Sequence, residues 1–245
     1  MKIINYKKKN SNSYNVTLSS GESVLLYEDT ILKYNLLLKK EITDKELKEI
    51  IKDNEKYFIY YDSIKYITKK LRTESELRKR YKDYELTSVD YSINRLIKEG
   101  YLNDSLYIKS YINDKVNLTN YGPNKIKNDL IKLGLKETDI LEYLNNIEYS
   151  IWIDKINKII NKEIKINKKY SGIFLKNRIL IYLRRLGYLD KDIISEISNY
   201  NFITDKSIYL KEKEKITNKY KRKYTGKELE KKVNNYLYNH GFREE

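Results

Sequence analysis

The chain has 245 residues, 50 Lys/Arg against 35 Asp/Glu for a net charge of +15, 40% hydrophobic and 13% aromatic content, no cysteine and one histidine, His240. Lack of cysteine excludes disulfides, thiolate metal sites and cysteine nucleophiles, while the excess of base draws the chain to polyanions. The opening MKIINYKKKNSN lacks the apolar region of a signal peptide, and no run approaches the length of a membrane span, so a cytoplasmic protein is expected.

Residues 2–9 and 14–18 read as short strands divided by the turn Asn10-Ser11-Asn12-Ser13, and Gly21 leads into a third strand at 23–27. Asp29 is expected to cap a short helix at 30–34. Thr43-Asp44-Lys45-Glu46 is a capping box, in which Thr43 and Glu46 each satisfy the other's free amide, and it starts a helix with Leu47, Ile50 and Ile51. From Glu55 the chain reads as helical throughout. Tyr57, Tyr60, Tyr61, Ile64, Ile67 and Leu71 keep a 3.6-residue period. A second box, Thr73 with Glu76, opens a helix whose inner face carries Leu77, Tyr81 and Tyr84. Thr87 with Asp90 is expected to start a third, ending at Gly100. A further triplet follows from Asp104. Its middle helix begins at Gly122-Pro123, where proline's missing N–H costs nothing, and ends at Gly134. Another runs from Glu148 through Trp152, Ile156, Ile159 and Ile160 to a helix capped by Asp190, and the last opens at Asp205.

Two stretches repeat one another. SGIFLKNRILIYLRRLG (171–187) and TGKELEKKVNNYLYNHG (225–241) both begin with a hydroxyl residue and glycine and end in a glycine 15 positions after the first. Tyr121-Gly122-Pro123 through Gly134 is a shorter version. Internal similarity of this kind points to stacked supersecondary units and an extended binding surface. The expected fold class is mainly α. Tandem three-helix, helix-turn-helix-like repeats form an elongated curved array, preceded by a small N-terminal β-containing segment. The expected parts are 1–54 (β-meander plus helix), 55–103, 104–147 and 148–201 (three-helix repeats), and 202–245 (an incomplete fourth repeat, with no room for a third helix after Gly241).

Catalytic chemistry finds little support. His240 sits beside Gly241 at a helix end, the eight glycines are scattered singly with no phosphate loop among them, and acidic pairs such as Glu74/Glu76 and Asp190/Asp192 fall at helix starts, where the dipole favours them. No enzyme activity, cofactor or metal is expected. What remains is basic helix surface interleaved with tyrosine. The second helix of each unit carries Arg78, Lys79 and Lys82; Lys125, Lys127 and Lys132; Lys176, Arg178, Arg184 and Arg185; Lys227, Lys231 and Lys232. The densest run is Lys219-Tyr220-Lys221-Arg222-Lys223-Tyr224. The chain has no Ala and no Gln and is rich in Lys, Asn, Ile and Tyr, as AT-rich coding produces. Such coding disfavours arginine, yet Arg72, Arg78 and Arg80 cluster, as do Arg178, Arg184 and Arg185, so bidentate contacts to carboxylate or phosphate are expected of them. The candidate binding set is Arg72, Arg78, Lys79, Arg80, Lys125, Lys127, Arg178, Arg184, Arg185, Lys221, Arg222 and Lys223.

Several of these motifs resemble a family. Residues 66–78, YITKKLRTESELR, look like an aromatic and basic lead into Ser-Glu-x-Glu-Leu, with Thr73 in the serine position. Residues 97–104, IKEGYLND, resemble a G-Y-[IL]-[ND]-D junction, and Tyr121-Gly122-Pro123 with Leu133-Gly134 matches the motif of the second unit. In order and spacing the chain is similar to the RecX family, regulators of the RecA recombinase, in the longer Gram-positive form. The family departs from this chain at the turn near Tyr84-Glu85, where a glycine is common, and in the fourth unit's third helix. The resemblance implies a regulator that lies along the RecA–single-stranded DNA filament and mostly inhibits its growth, ATPase, strand exchange and the co-protease activity behind the SOS response; a monomer with weak binding to single-stranded and double-stranded DNA is expected. The alternative is a tandem helix-turn-helix DNA-binding protein acting without RecA.

Overall fold

The computed structural model describes residues 1–39, 41–167, 169–202 and 206–243, and among these it is mainly helical with one small sheet. Asp205, the expected start of the last unit, lies outside the described residues. The strands β1 (Ile3–Asn10), β2 (Ser13–Leu18) and β3 (Ser23–Tyr27) form an antiparallel meander in the order β1-β2-β3. Asn10 pairs with Ser13 across the first turn, and Val16 faces Val24 in the second pairing. Alternation along β2 turns Val16 and Leu18 inward, where they join Leu26, Ile31, Leu36, Ile42, Leu47 and Ile50 in one core cluster.

Twelve helices follow among the described residues: α1 (Glu28–Lys33), α2 (Asp44–Ile67), α3 (Glu74–Arg80), α4 (Leu86–Lys98), α5 (Asp104–Leu118), α6 (Pro123–Lys132), α7 (Glu137–Asn145), α8 (Tyr149–Ile166), α9 (Gly172–Arg185), α10 (Asp190–Ser198), α11 (Lys206–Tyr220) and α12 (Gly226–Asn239). Both capping boxes form. Thr43 Oγ1 accepts from the Glu46 amide at 3.2 Å, and the Glu46 carboxylate accepts from the Thr43 amide at 2.9 Å. Thr73 and Glu76 repeat this at 3.2 and 3.0 Å.

Several local expectations need correction. The Thr43 box and the Tyr57–Ile67 periodicity belong to one unbroken 24-residue helix, α2, which passes straight through position 54/55. Asn54, buried in its middle, is hydrogen-bonded to β3 and α1. Its Oδ1 accepts from the Tyr27 amide and Thr30 Oγ1, and its Nδ2 donates to the Leu25 carbonyl. Asp29 does not cap α1; its carboxylate instead accepts from the Tyr61 hydroxyl at 2.7 Å and from Arg95 at 2.9 Å. Helix α4 starts at Leu86 with Glu85 at its cap position and no side-chain cap, and Asp90 is taken by Arg78. Asp190 is the first residue of α10 and binds Arg184. Tyr84 falls beyond α3 and is 38% exposed, outside the inner stripe.

The chain divides into two compact units, residues 1–108 with 132–135, and residues 109–131 with 136–245. In the first, Ile59, Tyr60 and Ile67 of α2 pack with Leu77, Tyr81, Val89, Ile93, Leu96 and Leu102. In the second, α8 buries Trp152, Ile156, Ile159 and Ile160, α9 buries Leu175, Ile179 and Leu183, and α10 buries Ile193 and Ile197. Tyr209, Ile216, Val233, Leu237 and Phe242 close a core around α11 and α12. Each set recurs at helical spacing, and each fully buried aliphatic side chain contributes about 1.5–3 kcal/mol.

One contact recurs between glycine turns and helix starts. In the second unit the Gly122 amide donates to the Leu186 carbonyl at 2.7 Å and the Asn124 amide to the Gly187 carbonyl at 3.0 Å. The Ser171 amide likewise donates to the His240 carbonyl at 2.9 Å. In the first unit Thr73 Oγ1 donates to the Leu133 carbonyl at 3.0 Å. In each case the residue before the closing glycine of one helix meets the residue that begins another. Gly187 and Gly241 are required there twice over. Both have φ near +80°, and a Cβ would lie 2.4 Å from the Lys125 nitrogen or 2.1 Å from the Ser171 oxygen.

Candidate interaction surface

The arginines expected to face a partner fall into two groups. Arg72 reaches Glu76 at 2.9 Å, and its guanidinium lies 4.0 Å from the Tyr66 ring centre. Arg80 lies 4.5 Å from the same ring and donates to Asp62 at 2.9 Å. Arg78 is held twice, by Glu74 at 2.7 Å and Asp90 at 2.6 Å. These three are gathered by carboxylates of their own chain, which supplies a structural reason for arginine at each position. Geometry sets the local ionisation. Burial would raise the Asp62 carboxyl, but hydrogen bonds from Arg80 and Tyr81 outweigh it and hold Asp62 below its ordinary value. Burial, with the Asp62 carboxylate adding to it, pushes the Tyr81 hydroxyl up to about 12. Exposed Lys79 lines a cleft of about 490 Å³ with Tyr66, Arg80 and Lys132.

On α6, Lys127 is paired with Glu137 at 2.8 Å and Lys125 lies over the Tyr121 ring at 4.4 Å. Lys127 is thus neutralised by its own chain, whereas Lys125 has a ring contact and no carboxylate partner among the described residues. Lys221, Arg222 and Lys223 are exposed in the turn between α11 and α12. On α9, Arg184 donates to Asp190 at 2.7 Å. Arg178 and Arg185 differ from the other candidate arginines of α3 and α9. Both are exposed, and no carboxylate among the described residues lies within ion-pair distance of either. They line a cleft of about 610 Å³ whose walls include Tyr170, Phe174 and Tyr182.

Sequence reasoning passed over Arg95, which is tied to Asp29 and Glu99 at 2.9 Å each and lies 3.9 Å from the Tyr60 ring. Its partnership with Glu99 was signalled by the i,i+4 spacing. His240 is structural: its ring lies between Tyr236, 3.9 Å away, and Tyr170, 5.4 Å away, and its Nδ1 is 2.8 Å from the Tyr236 carbonyl. No group of acidic residues or histidines able to hold a metal ion occurs among the described residues. No described helix is long and apolar enough to cross a membrane.

No family model matches the chain. Its sequence is similar to the regulatory protein RecX of Streptococcus pneumoniae serotype 19F (strain G54), with 29% identity over 99% of this chain and 95% of that protein. The regulatory protein RecX of strain Hungary19A-6 is 28% identical over the same shares. Two solved structures share the fold. A crystal structure of regulatory protein RecX superposes with a TM-score of 0.69 at 21% identity, covering 81% of this chain and 99% of that one. The crystal structure of RecX from Lactobacillus salivarius gives 0.55 at 24% identity, covering 59% and 96%. The chain is thus similar to RecX proteins along nearly its whole sequence, and it shares the fold of two solved RecX structures.

Proposed function

We propose that the chain is a regulator of RecA that binds the RecA–single-stranded DNA filament and mostly inhibits its growth, ATPase, strand exchange and co-protease activity. The observation that carries this reading is the similarity to the regulatory protein RecX over 99% of the chain. The charge distribution supports it. Residues 148–201 hold eleven Lys/Arg against six Asp/Glu and residues 202–245 twelve against seven, while residues 104–147 are balanced at six each. Basic stretches of this kind favour a polyanionic target such as a nucleoprotein filament. The chain acts by binding and not by catalysis, in the cytoplasm, as a monomer. Its proposed working parts are the helices carried by residues 55–103, 104–147, 148–201 and 202–245.

Co-sedimentation with preformed RecA filaments tests the reading. The filament reading expects the chain to pellet with filaments at physiological salt and to bind naked duplex weakly. Tight, sequence-selective duplex binding without affinity for filaments would favour a RecA-independent DNA-binding protein instead. Charge reversal at Arg78 or Arg184 is a poor probe, because a glutamate there would face Glu74 and Asp90, or Asp190, and strain the fold itself. Arg178 and Arg185 are the informative positions.

A further inference from the structure

We propose that the cleft beside α9 is a binding site for an unpaired segment of single-stranded nucleic acid, with Arg178 and Arg185 gripping its phosphates and Tyr182 stacking on a base. Three features converge on this. Arg178 and Arg185 stand seven residues apart on one helix face, two turns or about 10.5 Å along the axis, enough to take in more than one phosphate of a strand. They are also the candidate arginines of α3 and α9 that no described carboxylate neutralises, so their charge is available to a ligand. Between them lies Tyr182, 36% exposed, with Ile181 beside it at 56%. No aromatic ring among the described residues stacks on Tyr182.

The remaining wall is fixed in place. Tyr170 is stacked on His240, which is itself stacked on Tyr236, and the Arg178 guanidinium lies 5.1 Å from the Tyr170 ring centre. This pile gives Arg178 an aromatic support that does not neutralise its charge. Asn177, exposed on the same face, offers an amide that can donate to and accept from a base edge. At about 610 Å³ the cleft has the size of a small-ligand site, and Glu163 is the opposing charge in its lining. A duplex keeps its bases stacked and cannot place one there; an unpaired strand can. An acidic protein surface would use the arginines but gain nothing from a free tyrosine face and an amide set for a base edge.

The choice of nucleic acid as partner rests on the filament reading above, and the experiment separates the two. Binding of the full chain to a fluorescent oligothymidylate is followed by anisotropy across a salt series. The same variants are assayed for inhibition of RecA ATPase. The expected result is salt-sensitive binding to the single strand. Arg178→Ala with Arg185→Ala should weaken it at least ~10-fold and reduce the magnitude of the log–log salt slope by about 1.4, from ~0.7 per phosphate contact. Tyr182→Ala should cost about tenfold, and Tyr182→Phe should restore it. Duplex of the same length, free thymidine monophosphate and polyglutamate should each compete poorly. Unchanged affinity in the double variant, whose unfolding midpoint confirms folding, would overturn the proposal. So would equal competition by duplex, mononucleotide or polyglutamate. A wild-type chain that inhibits RecA but does not bind the oligonucleotide would also overturn it, while leaving the filament reading intact. Loss of oligonucleotide binding with inhibition retained would uphold the site and show that filament regulation does not depend on it.

Discussion

Arg80, Asp62 and Tyr81 show how a surface-biased residue becomes structural. The Asp62 carboxylate accepts from Arg80 at 2.9 Å and from the Tyr81 hydroxyl at 2.7 Å, so its charged form is favoured in the folded state despite partial burial. A carboxyl whose folded pKa lies below its unfolded value contributes stability above the unfolded value, here 3.8, and loses it as pH falls through the folded pKa. Asp53, held low by Lys33 and Lys56 against the cost of burial, and Glu99, held low by Tyr60 and Arg95, act in the same direction. Thermal melts between pH 6 and pH 2 should therefore show a falling midpoint below about pH 4. Arg80→Ala should lower stability by only about 0.5–1 kcal/mol, because the pair is partly solvated, and should make the acid slope shallower. An acid slope identical in wild type and Arg80→Ala would show that this pair does not set it. The i,i+4 pairs Arg72–Glu76 and Glu74–Arg78 were legible in the sequence from spacing alone. The partners Asp62 and Asp90 were not, because they are 18 and 12 residues away on other helices. That is why Arg80 read as a free contact, and the second hold on Arg78 was not legible, until their carboxylates were placed.

Among the elements, helix starts and stops were the most readable features, since a capping box or a closing glycine acts within four residues. Thr43 and Thr73 carry the same box but different burdens. Thr43 is exposed, whereas Thr73 is buried and its hydroxyl also donates to the Leu133 carbonyl. Thr43→Ala should cost about 1 kcal/mol, and Thr73→Ala about 2 kcal/mol or more because it also leaves a carbonyl without its donor. Chemical denaturation of both variants checks the order; equal losses would remove the Leu133 contact from the account. The glycine turns give a sharper contrast. Gly226 has φ +54° but open space around it, so Gly226→Ala should cost only the left-handed penalty of about 1–2 kcal/mol. Gly187→Ala adds a backbone clash at 2.4 Å and should exceed ~3 kcal/mol. The glycine spacing was plain in the sequence. That Gly187 meets Gly122, and Gly241 meets Ser171, was not, because 65 or more residues separate the partners and no local pattern encodes the pairing. Asp29 and Asp190 were misread as caps for a related reason: a carboxylate near a helix start is equally suited to a distant arginine, and Arg95 and Arg184 compete for them.

For the molecule as a whole, the hydrophobic periodicities foretold a mainly helical chain behind a small antiparallel sheet, and the order of motifs pointed to the RecX family that near-full-length similarity supports. The Thr43 box and the Tyr57–Ile67 periodicity were each legible, but not that they belong to one helix, α2, whose buried Asn54 bonds to Leu25, Tyr27 and Thr30. The candidate surface was legible as basic helix faces but not as free or committed charge. Three-dimensional pairing narrows its arginines on α3 and α9 from six to Arg178 and Arg185. The proposed activity is tested most directly by RecA ATPase on single-stranded DNA with the folded chain titrated in. The account predicts a dose-dependent fall in hydrolysis at chain concentrations below that of RecA, since a regulator seated on a polymer affects many protomers. Hydrolysis that stays at its starting rate with the chain in excess would contradict it.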